Sequence, residues 1–101
     1  MPRTLCVLLW ARPGEQAALT AYEDRVLRLV PDHGGRVLQR GRGRGTEGQP
    51  AEIQFIDFPS QAALDAYMAD PRRTALAADR DRAVARTEII DVELVPLPPP
   101  A

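Results

Sequence analysis

The chain contains no lysine and no asparagine, and it has one serine, one histidine and one cysteine. All 13 basic residues are arginines. Enzymes that form a Schiff base through lysine, pyridoxal-phosphate enzymes and P-loop nucleotide binders are therefore excluded in their usual forms. The single serine, Ser60, follows Pro59 and precedes a helical pattern, which is typical of a helix cap. This position argues against a Ser-His-Asp hydrolase.

The low content of metal-binding and disulfide-forming residues excludes further classes. Cys6 cannot form an internal disulfide, and one cysteine with one histidine cannot build the usual zinc site. We therefore expect no metal and no cofactor.

The apolar run Leu5 to Trp10 is too short for the hydrophobic region of a signal peptide, and no window approaches the roughly 20 apolar residues of a membrane helix. We expect a cytoplasmic protein.

Length and charge are those of an ordinary globular domain. The chain has 101 residues, a net charge of −1 and 27% charged residues, so it has no global attraction to nucleic acid or to an anionic membrane. A domain of this size buries only about two-thirds of its unfolded surface, so a second subunit would stabilise it. We predict one domain over residues 1–95 and a proline-rich extended tail over residues 96–101.

The hydrophobic pattern predicts an alternation of strands and helices. Residues 4–11 are apolar at consecutive positions, as in a strand that is covered on both faces. Residues 15–30 carry larger apolar side chains three and four positions apart, which predicts an amphipathic helix. Pro31 and the pair Gly34-Gly35 then allow an abrupt reversal. The predicted strands are 4–11, 36–44, 51–58 and 87–95, and the predicted helices are 15–30, 60–69 and 71–83.

This element order predicts an α+β protein with the ferredoxin-like βαββαβ fold. In that fold a four-stranded antiparallel sheet carries its helices on one face. The first and third strands are apolar on both faces, so the sheet face without helices would remain an exposed apolar surface. We therefore expect a homodimer, in which a second copy covers this face.

Three segments of the chain resemble one known family. Together they are similar to a small bacterial domain family of unknown function in the dimeric α+β barrel superfamily, over residues 3–95. The segments are Gly34-Gly35-Arg36-Val37-Leu38, the run from Glu52 to Ser60, and Ala66-Tyr67-Met68-Ala69-Asp70-Pro71.

The resemblance implies a dimeric barrel that binds or transforms small molecules. Its superfamily includes antibiotic-biosynthesis monooxygenases that act without a cofactor, muconolactone isomerases, EthD-like proteins and haem peroxidases. Family members often carry an aromatic residue shortly after Asp70-Pro71, where this chain has Arg72-Arg73, and the asparagine that the monooxygenases use has no counterpart. None of the catalytic residues of the monooxygenases is therefore carried over.

Topology suggests one candidate catalytic pair. His33 and Asp57 should lie at the same end of the sheet, because the first two strands run parallel and the third runs against them. A His33–Asp57 hydrogen bond would fix the imidazole tautomer and raise its basicity, as a general base requires. The alternative is that His33 is a turn residue that is hydrogen-bonded to the backbone.

Aromatic residues suggest a ligand pocket. Trp10, Tyr22 and Tyr67 could line an apolar pocket between helices and sheet, where the phenols would orient a carbonyl or hydroxyl group of a ligand. The alternative is that all three belong to the core, with their polar tips in water.

The arginines around the second predicted strand allow three interpretations. They could bind nucleic acid, clamp a carboxylate or phosphate ligand, or serve structure alone. Strict alternation would place them on one side of the strand. We predict that Arg40 or Arg42 contacts an acidic residue of the last strand across the dimer interface. The arginines are Arg36, Arg40, Arg42 and Arg44, with Arg36 the candidate ligand clamp beside His33, and the acidic residues are Glu88, Asp91 and Glu93.

Two functional hypotheses follow. The first is an enzyme that acts without a cofactor on a small apolar or carboxylate-bearing molecule, as an isomerase, cyclase or oxygenase. Its candidate base is His33. The second is a non-catalytic dimeric binding or structural module. We expect neither nucleic acid nor a membrane as a partner.

Overall fold

The computed structural model describes residues 1–100, and Ala101, the last residue of the predicted tail, lies outside them. A 3-10 helical segment, Leu27–His33, follows the first α-helix. The strands are β1 (Arg3–Ala11), β2 (Arg36–Arg42), β3 (Glu52–Phe58) and β4 (Val84–Asp91), and the helices are α1 (Gln16–Val26), α2 (Gln61–Met68), α3 (Pro71–Thr74) and α4 (Ala77–Ala83).

The four strands form one antiparallel sheet in the order β2-β3-β1-β4, with the helices packed on one face. The predicted ferredoxin-like fold is confirmed. No helix among residues 1–100 is both long enough and apolar enough to cross a membrane.

The central strands β1 and β3 carry apolar side chains on both faces, as predicted. Alternate residues such as Leu5, Val7 and Ile56 are buried beneath the helices. Their neighbours Cys6 and Phe55 pair with each other on the opposite face and are half-buried. We call this second face the open face, and its apolar members include Cys6, Leu8, Ile53, Phe55 and Ile90.

The first predicted helix is shorter than expected. Helix α1 ends at Val26, and the chain continues as a 3-10 segment to His33. Pro31 lacks an N–H, and its ring would clash with the carbonyl four residues earlier, so regular α-helix cannot run through this position. Gly34 adopts the left-handed conformation with φ 76°, and the N–H of Gly35 donates to the carbonyl of Val30 at 3.1 Å.

The last predicted helix and strand are shifted. Residues 71–83 form two helices, and β4 begins at Val84 rather than at residue 87 and ends at Asp91 rather than at 95. Ala83 and Val84 are both buried, and the Ala83 carbonyl accepts a hydrogen bond from the Arg12 backbone at 2.9 Å. Packing against the end of β1 therefore fixes the start of the strand.

A β-bulge in β2 contradicts the predicted alternation of its arginines. Val37 pairs with Ile56, but the next pair joins Gln39 to Phe55, which leaves Leu38 as an extra residue. The prediction that these arginines all lie on one side of the strand is wrong. Arg36 lies on the open face, whereas Arg40 lies on the helix-covered face.

Gly35 permits a close approach between the turn and β3. A Cβ atom at this position would lie 2.8 Å from the Asp57 carbonyl oxygen, 2.8 Å from Val30 and 2.9 Å from Phe58. We expect Gly35→Ala to lower the free energy of unfolding by about 1–3 kcal/mol through overpacking.

Gly41 is the matched control for this substitution. It lies in β2 without a left-handed φ, and its nearest neighbour would be 3.9 Å from the added Cβ atom. Gly41→Ala should change stability much less, as measured by urea unfolding. Equal effects of the two substitutions would contradict the close-packing argument.

Candidate functional site

A cavity of about 270 Å³ lies between the helices and the sheet. Its inner walls are mostly apolar and buried. The apolar lining residues on the sheet side are Leu5, Val7, Leu9, Ile56 and Phe58.

The more exposed lining residues mark where the cavity meets solvent. Met68 is 38% exposed and Ile89 is 49% exposed. Arg73 and Arg80 line the same cavity and are partly exposed. The cavity therefore opens between the second half of the helical layer and the edge strand β4.

Glu23 places a carboxyl group on this cavity. It lies on α1 and only 5% of its surface is exposed. Burial raises the pKa of Glu23, and the nearby negative charge of Glu52 raises it further, whereas the hydrogen bond from Gln54 lowers it. The carboxyl group is therefore a stronger base than an exposed glutamate.

A hydrogen-bonded network of polar side chains fixes the orientation of Glu23. The Gln54 amide nitrogen donates to Glu23 Oε1 at 2.7 Å and to Glu52 Oε2 at 2.6 Å. Arg40 binds Glu52 through Nε at 3.0 Å and Nη2 at 3.1 Å, and it binds Asp24 through Nη1 at 2.7 Å. Glu52 and Asp24 are both paired with Arg40, so among the carboxylates of this hydrogen-bonded network Glu23 is the one without an arginine partner.

Tyr22 and Tyr67, two of the three aromatic residues that were predicted to line a pocket, lie on the cavity wall, and their role in binding a ligand remains a prediction. Burial raises the pKa of Tyr67 to about 12, with Arg73 opposing the rise, and burial also raises the pKa of Tyr22. Both phenols therefore stay protonated at neutral pH. The Tyr67 hydroxyl donates to the Val26 carbonyl at 3.2 Å.

Trp10 and Arg36 lie away from this cavity. The Trp10 indole N–H donates to the Gly48 carbonyl at 2.8 Å, and the Arg86 guanidinium stacks over the indole at 4.2 Å. Arg36 donates to Asp57 at 3.1 Å on the open face. The prediction that Trp10 shares a pocket with the two tyrosines is wrong, because Trp10 has the alternation phase of the open face.

The predicted His33–Asp57 pair is wrong. His33 Nε2 lies 2.8 Å from Asp70 Oδ2, while Asp57 accepts hydrogen bonds from Thr4 Oγ1 at 2.6 Å and from Arg36. The two residues share an end of the sheet but lie on opposite sides of it. His33 does not line the cavity. Their catalytic roles remain predictions.

Asp70 organises a separate cluster beside the cavity. It caps α3 by accepting a hydrogen bond from the Arg72 backbone at 2.8 Å, and its carboxylate also binds the Arg72 guanidinium and His33. The Arg72 guanidinium, followed by His33, holds the pKa of Asp70 well below its usual range. The His33 ring packs edge-on to Tyr67 with their centroids 6.1 Å apart.

Arg40 is engaged within its own chain, which removes it from the predicted interface contact. Its partners Asp24 and Glu52 lie on the helix-covered side, whereas Glu88 lies on the open face and binds Arg86. Asp91 binds Arg3 at 2.5 Å. The interface contact of Arg42 remains a prediction.

The polar residues that line the cavity were not predicted from the sequence. The signal for Glu23 was its place four residues after Leu19 and three before Val26, on the apolar face of α1. Gln54 likewise shares the buried phase of β3 with Ile56. No periodic signal marked Arg73 or Arg80, since their placement depends on the break between α3 and α4.

A comparison with protein families identifies the relatives of this chain. The model of a domain of unknown function, DUF1330, matches residues 9–95. The chain belongs to the DUF1330 family. This confirms the resemblance to a small family of unknown function. A search of curated protein sequences found no significant match.

Solved structures share the fold of this DUF1330 protein. A protein of unknown function from Rhodopseudomonas palustris is 23% identical with a TM-score of 0.74, over 97% of this chain and 84% of that chain. A dimeric ferredoxin-like protein of unknown function from Bacteroides fragilis is 12% identical with a TM-score of 0.68, over 92% and 96%. A protein from Bacteroides thetaiotaomicron, provisionally assigned as an antibiotic biosynthesis monooxygenase, is 17% identical with a TM-score of 0.70, over 97% and 91%.

The charge of Asp70 should stabilise this DUF1330 fold at neutral pH. Asn can still cap α3 but cannot pair with Arg72 and His33. Because the folded pKa lies below the unfolded value of about 3.9, the ionised carboxylate stabilises the fold above that value and loses this effect as pH falls through the folded pKa. We expect Asp70→Asn to be less stable than the wild type near neutral pH, with a difference that shrinks below about pH 4.

Asp32 provides the control, because it binds the same Arg72 guanidinium at 2.9 Å from an exposed position. Asp32→Asn should have a much smaller effect in urea unfolding experiments over the same pH series. A stability difference for Asp70→Asn that does not change with pH would exclude the charge as its cause.

Proposed function

We propose that this protein is a homodimer that binds a small, largely apolar molecule in the cavity. The protein transfers a proton on this molecule without a cofactor, as an isomerase, cyclase or oxygenase-like enzyme does. The observation that carries this proposal is the buried Glu23 carboxyl group on an apolar cavity wall. Glu23 replaces His33 as the candidate base, since Glu23 lines the cavity and His33 does not.

The environment of Glu23 suits general base catalysis. Its raised pKa brings it closer to neutral pH, where a base is most effective. In the proposed step, Glu23 takes a proton from a carbon beside a carbonyl group, so that the electron pair of the broken C–H bond forms an enolate. The neutral carboxylic acid then returns the proton to this carbon or to another carbon of the enolate. Gln54 keeps one oxygen of Glu23 fixed, which leaves the other for the substrate.

The size and walls of the cavity support a small substrate. Its volume of about 270 Å³ is just below the usual range of about 300–1,000 Å³ for small-molecule pockets. The apolar sheet side, with Leu5, Leu9 and Phe58, favours a hydrocarbon or aromatic body. Tyr22 and Glu23 supply polar groups from α1.

The open face supports the homodimer. Cys6, Leu8, Ile53 and Phe55 form a contiguous apolar patch on the two central strands, and no helix or strand among residues 1–100 packs across it. Such patches are typical of protein interfaces. The ferredoxin-like neighbour from Bacteroides fragilis is described as dimeric.

One observation favours the second candidate, a non-catalytic binding module. The Tyr67 hydroxyl is bonded to the Val26 backbone, so it does not offer its proton to a ligand. The enzyme requires the Glu23 carboxylate to take a proton from a bound ligand, whereas the binding module requires no proton transfer by this group.

We expect the protein to accelerate hydrogen–deuterium exchange beside the carbonyl group in at least one member of a panel of small cyclic ketones and lactones in D₂O. Glu23→Gln should reduce this rate by about 100-fold or more, because it removes the base and keeps the shape. Proton NMR measures the loss of the exchanging C–H signal.

Glu93 is the control for this experiment, since it is exposed and lies beyond β4. Glu93→Gln should retain the full exchange rate. Binding of panel compounds without accelerated exchange would favour the non-catalytic module, and equal rates for wild type and Glu23→Gln would remove Glu23 from the mechanism.

The dimer can be tested with two adjacent residues of β4. Ile89 and Ile90 are 49% and 47% exposed, but Ile90 lies on the open face and Ile89 on the helix side. Ile90→Asp should weaken association about 100-fold or more, since a symmetric interface loses two buried isoleucines worth about 1.5–3 kcal/mol each. Ile89→Asp should leave association nearly unchanged.

Light scattering coupled to size-exclusion chromatography measures both variants over a concentration series. A wild-type monomer at micromolar concentration, or equal dissociation of the two variants, would contradict an interface on the open face.

A further inference from the structure

Two arginines on the cavity wall have no carboxylate partner in the part of the chain that the structure describes. Arg73 comes from α3 and Arg80 from α4, and neither forms an ion pair among residues 1–100. Arg80 has only a long hydrogen bond to Thr87 Oγ1 at 3.4 Å. Guanidinium groups without a carboxylate partner on the wall of a largely apolar cavity favour an anion there.

Arg73 is the more constrained of the two. Its Nη1 donates to the Met68 carbonyl at 3.3 Å, and its guanidinium lies over the Tyr67 ring at 5.3 Å. Its Nε is buried and has no hydrogen-bond partner among the described residues, the only side-chain nitrogen or oxygen among them in that condition. A buried N–H without an acceptor is unfavourable, so this group indicates an acceptor supplied by a ligand.

The free edge of Arg73 selects the kind of anion. With Nη1 bonded to Met68, the edge that contains Nε remains, and this edge presents parallel N–H groups that match the two oxygens of a carboxylate. The same chain shows this mode elsewhere, because Arg40 holds the Glu52 carboxylate through Nε and Nη2.

The charges around the cavity agree with an anionic ligand. Arg73 and Arg80 carry two positive charges, and Glu23 is the single carboxylate among the lining residues. The arginines belong to the partly exposed lining, while Glu23 is buried. Positive charge therefore lies near the opening and the carboxyl group lies deeper.

We propose that the cavity recognises a small monocarboxylate with an apolar body, whose carboxylate binds the Nε edge of Arg73 with electrostatic support from Arg80. The apolar body then lies against the sheet and extends toward Glu23. This inference rests on the proposed ligand-binding function of the cavity and adds the chemical class of the ligand.

Matched carboxylates and amides test the proposal. The probes are benzoate, phenylacetate and cinnamate, each paired with its uncharged amide of nearly equal shape. NMR titration of the homodimeric wild type, followed at the amide signals of Tyr22, Val26 and Ile56, reports binding in the cavity. We expect at least one carboxylate to bind about tenfold or more tightly than its amide.

Variants of Arg73 separate charge from shape. Arg73→Gln should weaken carboxylate binding by about 10- to 100-fold and leave amide binding nearly unchanged. Arg73→Lys keeps the charge without the parallel N–H groups, so it should show an intermediate loss. Arg82→Gln is the control, because Arg82 lies on α4 with Arg80, is exposed and binds Glu15. It should bind like the wild type.

Three results would overturn the proposal. If carboxylate and amide bind equally well, the cavity binds small molecules but does not recognise an anion. If Arg73→Gln weakens both probes equally while circular dichroism shows a folded protein, Arg73 shapes the cavity and does not select charge. If no carboxylate and no amide of the panel binds in the cavity, both this inference and the proposed ligand-binding function fail.

Discussion

Both faces of the central strands β1 and β3 carry apolar side chains, and the helices of the chain cover only one of them. This imbalance governs the rest of the structure. The covered face becomes the core and the wall of the cavity, so the residues on it are fixed by packing. The open face is left for the second copy of the proposed homodimer. A one-residue insertion or deletion in β1 would move the side chains beyond it to the opposite face of the sheet, which would disrupt both the core and the open face.

The helix-covered face also holds a row of polar groups, which a core accepts only when they are paired. Glu52 is almost fully buried, and Arg40 reaches it from β2 with two hydrogen bonds. Removing Arg40 would leave a buried charge uncompensated, whereas the pair itself adds little net stability. Its structural effect is positional: it fixes Glu52, which orients Gln54, which orients Glu23. The bulge at Leu38 makes this possible, because without it Arg40 would face away from Glu52.

The sequence was sufficient for the fold because the fold depends on patterns that one strand or helix displays alone. The two-sided apolar run of β1 and the break at Pro31 are examples. The sequence was insufficient where a contact with a residue from elsewhere in the chain determines the position of a side chain. His33 was expected to meet Asp57, but Asp70, held at the cap of α3, binds it instead. One extra residue in β2 moved Arg40 to the other face, and no local pattern marks such a bulge.

The residues of the candidate site could be predicted from the sequence only in part, for the same reason. Tyr67 and Tyr22 could be assigned to the cavity because aromatic residues on an amphipathic helix turn toward the sheet. Arg73 could not, because its direction follows from the short helix α3 and the cap that starts it. A charged residue in a helical segment is usually solvated, and sequence periodicity does not show which arginine borders a cavity.

The separation of Glu23 from Arg73 has a consequence for how the site works. The positive charge of Arg73 lowers the pKa of Glu23, in opposition to the larger effect of burial. An anion bound to Arg73 would neutralise that charge, and its apolar body would displace water from the cavity. Both changes favour the protonated carboxyl group, so they raise the pKa of Glu23 and increase its basicity. Binding of the ligand would thus strengthen the base that acts on it, and this coupling requires that the two groups share one cavity without forming an ion pair.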